Sequence, residues 1–514
     1  MSLITEKTAK NRLIIISNRL PSTISQDDSG RFEVKDGSGG LVTAMVPVLR
    51  NRGGLWIGWP GTTKGKKHLI KKLLNETTDG TGYSFEPVML TPEEVDSFYY
   101  GFANEIIWPL FHDLQTRCNF DPSYWKAYQA VNRKFAQSTH ESIINGDHIW
   151  IHDYHLMMAG KNLREMGVTS KIGFFLHIPF PSPDLFFKLP WRYEVMEGLL
   201  SYDLVGFQTM RDRRNFIRCI RALFRDVVIR ERGKVITAQV NDREIRIGNF
   251  PISIDFDEFA RNAEKREVED RVREVQEELD VEHIVLGIDR LDYTKGIPER
   301  LAAFEMALDR YPQLRGNMSL LQLVVPSRVT IPKYLELKEQ LERKISEING
   351  RYGRPGWTPI HYMFRSIDRQ ELLAFYRASD VAFITPLKDG MNLVAKEYCA
   401  SNVEENGVLI LSEFAGASAQ LQRGALLVNP YHVESVAQTL FTATQMEPAQ
   451  RQYRMKMMRK AIRRQDIYYW VEAFLNSVFI HEVKDFPLVE YKPATKAPAA
   501  PRPPIQNYPA SPYV

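Results

Sequence analysis

Arg290 and Lys295 stand five positions apart in GIDRLDYTKGIPER (287–300), between an apolar run and a helix expected to start near Pro298. Two cations on such a loop suit a diphosphate, Arg as a planar fork and Lys as a point charge. An ordinary solvent-facing loop would carry the same residue types. VVPSR (324–328) repeats the arrangement, with Arg328 just past another apolar run. Asn18 and Arg19 follow LIIIS (13–17), at the strand end where open α/β sheets hold ligands. DGMNLVAKEY (389–398) opens a helix after VAFITPL (381–387). The backbone amides of Gly390, Met391, Asn392 and Leu393 can therefore face phosphates. Glu397 suits the two hydroxyls of a ribose, and Asp389, ahead of the helix, those of a sugar.

Other residues leave more than one reading. In HDYHL (152–156), Asp153 at a strand end can accept bonds from substrate hydroxyls. His152 and His155 have a spacing that permits a shared metal, or they are hydrogen-bonding core residues. No thiolate pair or nearby third His supports the metal, and none is expected. FFLHIPFPSPD (174–184) sets His177 at the end of an apolar strand, before three prolines that keep the chain out of a helix. DGSGGL (36–41) is either an anion cradle of backbone amides or a tight turn. Asp255 and Asp257 fit turn and helix-cap acids better than a metal pair. The dinucleotide fingerprint fails at Val42, the P-loop context of Gly65-Lys66 fails at Pro60 and Lys67, and GxSxG and HExxH do not occur.

Positioning such strand-end residues requires buried strands alternating with helices. Apolar runs at 13–17, 148–152, 171–178, 203–209, 283–290, 320–326, 381–387 and 407–412 are separated by amphipathic stretches such as 121–143, 271–279, 298–314 and 369–379. That pattern predicts α/β architecture with parallel sheets covered on both faces. A helix is expected over 41–49, and a seam near 240–265, where a very charged helix follows IRIGNFPISIDFDEF. The expected division is 1–250 and 251–460 for two domains, 461–485 for final helices packing across them, and 486–514 for a Pro-rich disordered tail.

The 514 residues suit two or three domains, and 44% hydrophobic with 25% charged residues is an ordinary globular balance. A net charge of +4 on this length gives no sign of a nucleic-acid or membrane-surface binder. Cys118, Cys219 and Cys399 cannot form a disulfide framework, so a reducing, cytoplasmic setting is expected. The N-terminus has no apolar signal region, and no apolar run approaches ~18 residues.

The sequence resembles the trehalose-6-phosphate synthases, retaining glycosyltransferases of family 20. The resemblance rests on SNRLP (17–21), GSGGL (37–41), FYYGFANEIIWPLFH (98–112), WIHDYHLM (150–157), GFFLHIPFP (173–181), DRLDYTKGIPER (289–300), PSR (326–328), GRYGRPGWTPI (350–360), TPLKDGMNLVAKEY (385–398) and SEFAGA (412–417). These run in order over about 12–485. The form is similar to single-domain fungal-type enzymes, so the appended phosphatase domain of some relatives is not expected here.

The resemblance implies a GT-B fold of two Rossmann-like domains facing a cleft, joining UDP-glucose and glucose 6-phosphate into α,α-trehalose 6-phosphate and UDP. It implies no cofactor and no metal. The acceptor phosphate falls to Arg19, Tyr99 and Arg328, and the acceptor sugar to Asp153, Trp59 and Trp108. The donor falls to Gly39 and Gly40, to Arg290 and Lys295 at the diphosphate, and to Asp389, Gly390, Met391, Asn392, Leu393, Val394, Ala395, Lys396 and Glu397. The backbone near Ile367 is expected at the uracil. No carboxylate pair suits a covalent intermediate, and the resemblance implies a same-face displacement, with His177 orienting the donor sugar. Family members also form homo-oligomers and complexes with a trehalose-6-phosphate phosphatase. A catalytically silent binding protein and a transferase for another acceptor share these motifs. The set Arg19, Arg290, Lys295, Arg328 and Glu397 argues against the first, and paired Arg19 and Arg328 against an unphosphorylated acceptor.

Overall fold

The computed structural model describes residues 12–480, apart from 28–29, 37–41, 43–44, 47, 50–52, 231–234, 241–242 and 329–330. The first half is built on β1 (Leu13–Arg19), β2 (Ser22–Gln26), β3 (Phe32–Asp36), β4 (Gly54–Trp59), β5 (Tyr83–Pro87), β6 (His148–His152), β7 (Ile172–Phe175), β8 (Leu204–Phe207), β9 (Val228–Arg230), β10 (Ile236–Val240) and β11 (Arg243–Asn249). The second half is built on β12 (His283–Arg290), β13 (Met318–Val325), β14 (Ile360–Phe364), β15 (Val381–Ile384), β16 (Val408–Ser412) and β17 (Leu426–Val428).

Nine strands form the first sheet, in the order β5-β4-β1-β6-β7-β8-β11-β10-β9. It is parallel from β5 to β11, while β10 runs antiparallel to both β11 and β9. The second sheet has six strands, all parallel, in the order β14-β13-β12-β15-β16-β17. The hairpin β2–β3 stands apart. The continuous apolar runs become strands because both faces of each sheet are covered: Ile14, Ile15 and Ile16 are all fully buried, as are Val285 and Leu286.

Helices begin where the sequence supplies caps. Asp121 accepts from Ser123 N ahead of the helix Pro122–Ser142, and Asp255 accepts from Glu258 N ahead of Phe256–Ala263. Asp255 is thus a cap acid. Over 41–49, the described residues are helical. The segment Val95–Ile107 is a π-helix, which the sequence reading did not anticipate.

The chain ends by crossing back. Helix Pro448–Arg464 buries Met455, Met458 and Ile462, and Arg459 reaches the carbonyls of Cys399 and Ala400 in the second half. Helix Ile467–Leu475 then packs on the first sheet. Phe474 stacks on Trp150 with centroids 4.4 Å apart, and Trp470 donates its Nε1–H to Phe250 O at 3.0 Å. Among the described residues, no helix is long and apolar enough to cross a membrane.

Candidate active site

The loop after β12 carries the first group. Asp292 opens a short 3₁₀ turn, Tyr293–Lys295, by accepting at Oδ1 from Thr294 N and Thr294 Oγ1, both at 2.9 Å. Gly296 closes that turn at φ 63, and a Cβ there would collide with the Thr385 carbonyl past β15. The turn delivers Lys295 Nζ to Asp389 Oδ2 at 2.6 Å. Asp389 also accepts from Met391 N at 3.3 Å and Asn392 Nδ2 at 3.2 Å. Burial favours its neutral form, but the Lys295 ammonium and these bonds outweigh that and hold the carboxyl below the usual range. Asn392, at φ 77, caps the helix Leu393–Ser401 through Ala395 N at 3.0 Å. Any Cβ on Gly390 would strike the His177 carbonyl, so here the backbones of the two halves touch.

A second group gathers around Trp59, Tyr99 and Trp108. Arg19, the exposed last residue of β1, lays its guanidinium 4.3 Å from the Trp59 ring and 5.6 Å from Tyr99. Tyr99 stacks on His155 at 5.8 Å. Burial pushes the Tyr99 phenol up, yet the charges of Arg328, Arg19 and Arg290 together bring it below its ordinary pKa. Arg328 sits at φ 51, a costly backbone conformation for a side-chain-bearing residue. Its Nη1 donates to Tyr334 OH at 2.7 Å and to Asp292 Oδ2 at 3.4 Å, and Nη2 donates to Tyr154 OH at 3.4 Å. The Arg328 guanidinium lies 4.5 Å from the Trp108 ring, and that of Arg290 6.0 Å from the same ring. Trp108 Nε1 donates to Asp292 Oδ1 at 3.4 Å.

Asp153 and His177 link the groups. Asp153 holds φ 74, donates its N–H to Phe175 O at 2.8 Å and accepts the His177 N–H at 3.1 Å. Burial raises the Asp153 carboxyl to about 7 despite those bonds and the nearby arginines. His177 lies two residues past the end of β7, and its Nε2 is 3.1 Å from His152 Nδ1. Burial holds the His177 imidazole down at about 3, so it is neutral and a weak base.

Arg19, Trp59, Tyr99, Trp108, Asp153, His177, Arg290, Lys295, Arg328, Asp389 and Gly390 thus form one linked constellation drawn from both halves. The rest of the 389–397 segment divides. Met391 and Ala395 are buried, and Leu393 and Val394 half-buried. Glu397 Oε2 accepts from Tyr376 OH at 2.8 Å, with its carboxyl raised by burial. Lys396 is wholly buried and donates to Ile252 O at 2.6 Å, and burial lowers its ammonium to about 7. Ile367, half-buried between β14 and the helix Arg369–Ala378, packs on the second half's core. Gly39 and Gly40 lie outside the described residues.

Asp292 was given no role by the sequence reading, although it lies inside DRLDYTKG. It is 1% exposed, and Arg328, Arg290 and Lys295 hold its carboxylate below the usual range against the opposing effect of burial. Tyr154 and Tyr334, which brace Arg328, were likewise unassigned. The available signal was an acid between two cations on one loop. Among the described residues, no group of three or more His, Cys, Asp or Glu is arranged to hold a metal.

The sequence profile of glycosyltransferase family 20 matches residues 11–479. The chain belongs to that family. A trehalose-6-phosphate synthase of Mycobacterium sp. (strain JLS) is 41% identical over 473 residues, covering 90% of this chain and 95% of that one. A crystal structure of an α,α-trehalose-phosphate synthase (UDP-forming) from Burkholderia xenovorans, in complex with glucose 6-phosphate, has a TM-score of 0.83 at 34% identity and covers 91% of this chain and 100% of that one. The E. coli structure bound with UDP-2-fluoro glucose has a TM-score of 0.81 at 36% identity, covering 91% and 99%. The family-20 fold here is GT-B: two α/β units with parallel sheets that meet at the constellation described above.

Proposed function

We propose that this family-20 transferase moves glucose from UDP-glucose to glucose 6-phosphate, giving α,α-trehalose 6-phosphate and UDP. The observation that carries the reading is Trp108. Arg328 and Arg290, the cations proposed for acceptor phosphate and donor diphosphate, approach the same indole at 4.5 and 6.0 Å. Two phosphorylated substrates held by those cations meet in one cleft.

In the proposed arrangement, Arg19, Tyr99 and Arg328 hold the acceptor phosphate, and Trp59, Trp108 and Asp153 shape its sugar site. Arg290 and Lys295 face the donor diphosphate, with Gly39 and Gly40 on the same ligand. The 389–397 segment holds glucose and ribose, with uracil near Ile367. The bond from the donor anomeric carbon to the β-phosphate oxygen breaks, and a bond from that carbon to the acceptor O1 forms on the same face. The acceptor hydroxyl proton goes to the leaving phosphate oxygen. Arg290 and Lys295 stabilise the charge that develops there. His177, neutral and weakly basic, orients the donor sugar. The charge on the leaving group is met by side chains, so transfer is expected to survive a chelator.

The domain roles follow: residues 1–250 for the acceptor, 251–460 for the donor and the described part of 461–485 packing across both, while 486–514 lie outside the described residues. Closure of the two halves accompanies binding. Family resemblance supports a cytoplasmic setting, a homo-oligomer and a complex with a trehalose-6-phosphate phosphatase, with no nucleic-acid or membrane partner. An acceptor panel tests the reading. Glucose 6-phosphate is expected to be used and free glucose to be poor, because Arg19 and Arg328 would face no anion. Equal use of both acceptors overturns it.

A further inference from the structure

A cavity of about 340 Å³ lies outside this constellation, lined among others by Asp113, Ser182, Arg211, Arg214, Arg218 and Lys388. The donor cations Arg290 and Lys295 do not line it. Three of its arginines come from the helix Met210–Leu223, spaced i, i+3 and i+7 on one side. The helix's packing face is formed by other residues, including Phe216, Ile217 and Ile220. Like charges at this spacing repel, so the row does not serve the helix itself.

The fourth cation comes from the opposite half. Lys388 is 9% exposed and pairs with Asp113, the single acidic lining residue. Among the described residues, Arg211 and Arg218 make no ion pair or hydrogen bond. The lining residues thus include four basic side chains and one acidic one. Burial and the neighbouring Arg211 disfavour the charged form of Lys388, while Asp113 and, more weakly, Asp212 favour it, with burial prevailing. An anion in the cavity would favour the charged form of Lys388 further.

We propose that this pocket binds a phosphate-bearing small molecule, its phosphate or diphosphate group held between the arginines of the first half and Lys388 of the second. The volume suits a compact ligand. Guanidinium forks match phosphate oxygens, and a low-entropy preformed wall favours them. The ligand would bridge the two halves beside Asp389, the residue following Lys388, without entering the transfer site.

Titration calorimetry of the full chain with inorganic pyrophosphate tests this. An Arg290→Ala/Arg328→Ala background removes two of the four transfer-site cations, leaving Arg19 and Lys295, and the Arg211 and Arg218 variants made in it separate this pocket from the transfer site. That background is expected to keep one pyrophosphate site per chain. Arg211→Ala and Arg218→Ala should each weaken it about tenfold, with circular dichroism unchanged and activity of the single variants in otherwise wild-type chain at the normal level. A hexose monophosphate and ATP are then titrated separately, and the tighter binder names the source of the phosphate. Pyrophosphate binding that is absent at millimolar concentration, or that is unchanged by removing both arginines, overturns the proposal. Failure of both organic phosphates overturns its ligand class.

Discussion

Trp108, from the first half, donates its indole N–H to Asp292 of the second half at 3.4 Å. The same carboxylate meets Arg328 Nη1 at 3.4 Å through its other oxygen. One buried acid therefore holds the indole and the cation proposed for the acceptor side, 184 and 36 residues away from it in sequence. Asn at 292 would keep the Thr294 contacts through Oδ1 but turn an amide N–H₂ toward Arg328. Asp292→Asn is expected to raise the KM for glucose 6-phosphate roughly ten- to a hundredfold, by the 1–3 kcal/mol typical of losing a charge-assisted partner. The KM for UDP-glucose should change much less. Steady-state kinetics with each substrate varied separate the two, and an equal rise in both contradicts the assignment.

Lys295 and Asp389 form the corresponding ion pair on the proposed donor side. Lys295→Ala removes a proposed diphosphate contact and leaves a mostly buried carboxylate unpaired. Transfer is expected to fall at least about a hundredfold, with a stability loss of about 1–3 kcal/mol by urea unfolding. Arg290→Ala should lose transfer with smaller destabilisation, since Arg290 is exposed at a strand end. Wild-type turnover by either variant contradicts the assigned roles.

Asp153 supplies a pH test. Its carboxyl is raised to about 7 by burial, so the acceptor-ready carboxylate fills only above that pH. The kcat/KM for glucose 6-phosphate should fall as pH drops from 8 to 6, and Asp153→Asn should be low and flat over that range. The stability sign is opposite. A folded-state pKa above the unfolded value of about 3.9 gives a contribution fully present below pH ~4 and lost as pH rises through about 7. Replacing Asp153 by Asn should therefore compare best with wild-type stability at pH 8 and worst at pH 4, read by thermal unfolding.

Trp470 tests the returning C-terminal helix. It is fully buried and lies 5.0 Å from Trp150, 5.1 Å from Phe175 and 6.2 Å from His177, measured between ring centroids. Trp470→Ala should cost about 3–5 kcal/mol by denaturant unfolding. Trp470→Phe should cost less while still losing the bond to Phe250 O. A Trp470→Ala change within 0.5 kcal/mol of wild type would mean that the helix adds nothing to the first sheet.

Strand ends were legible from sequence because buried parallel strands are continuous apolar runs, and ligand-facing residues follow them directly. Arg19 and Arg290 are the last residues of β1 and β12, and Arg328 follows β13 by three residues, as the apolar runs predict. Asp292 was not legible, because an acid beside cations on a loop looks the same whether it is solvated or buried at a junction. The antiparallel edge β9–β11 was also missed: these strands are short or mixed in polarity, and their pairing is set by the fold. The π-helix Val95–Ile107 shares its composition with an ordinary α-helix. Lys396, read with the donor helix, directs its ammonium to Ile252 because one helical face meets the segment between the halves, which local spacing does not reveal.

The central claim is that two phosphorylated sugars react across Trp108 with retention. UDP-glucose labelled with ¹³C at the anomeric carbon, mixed with glucose 6-phosphate and the full chain, tests it by NMR. Release of UDP is expected together with one labelled product whose two anomeric carbons are both α-linked, with and without a chelator. Labelled free glucose as the product, a β linkage, or no UDP release would contradict it.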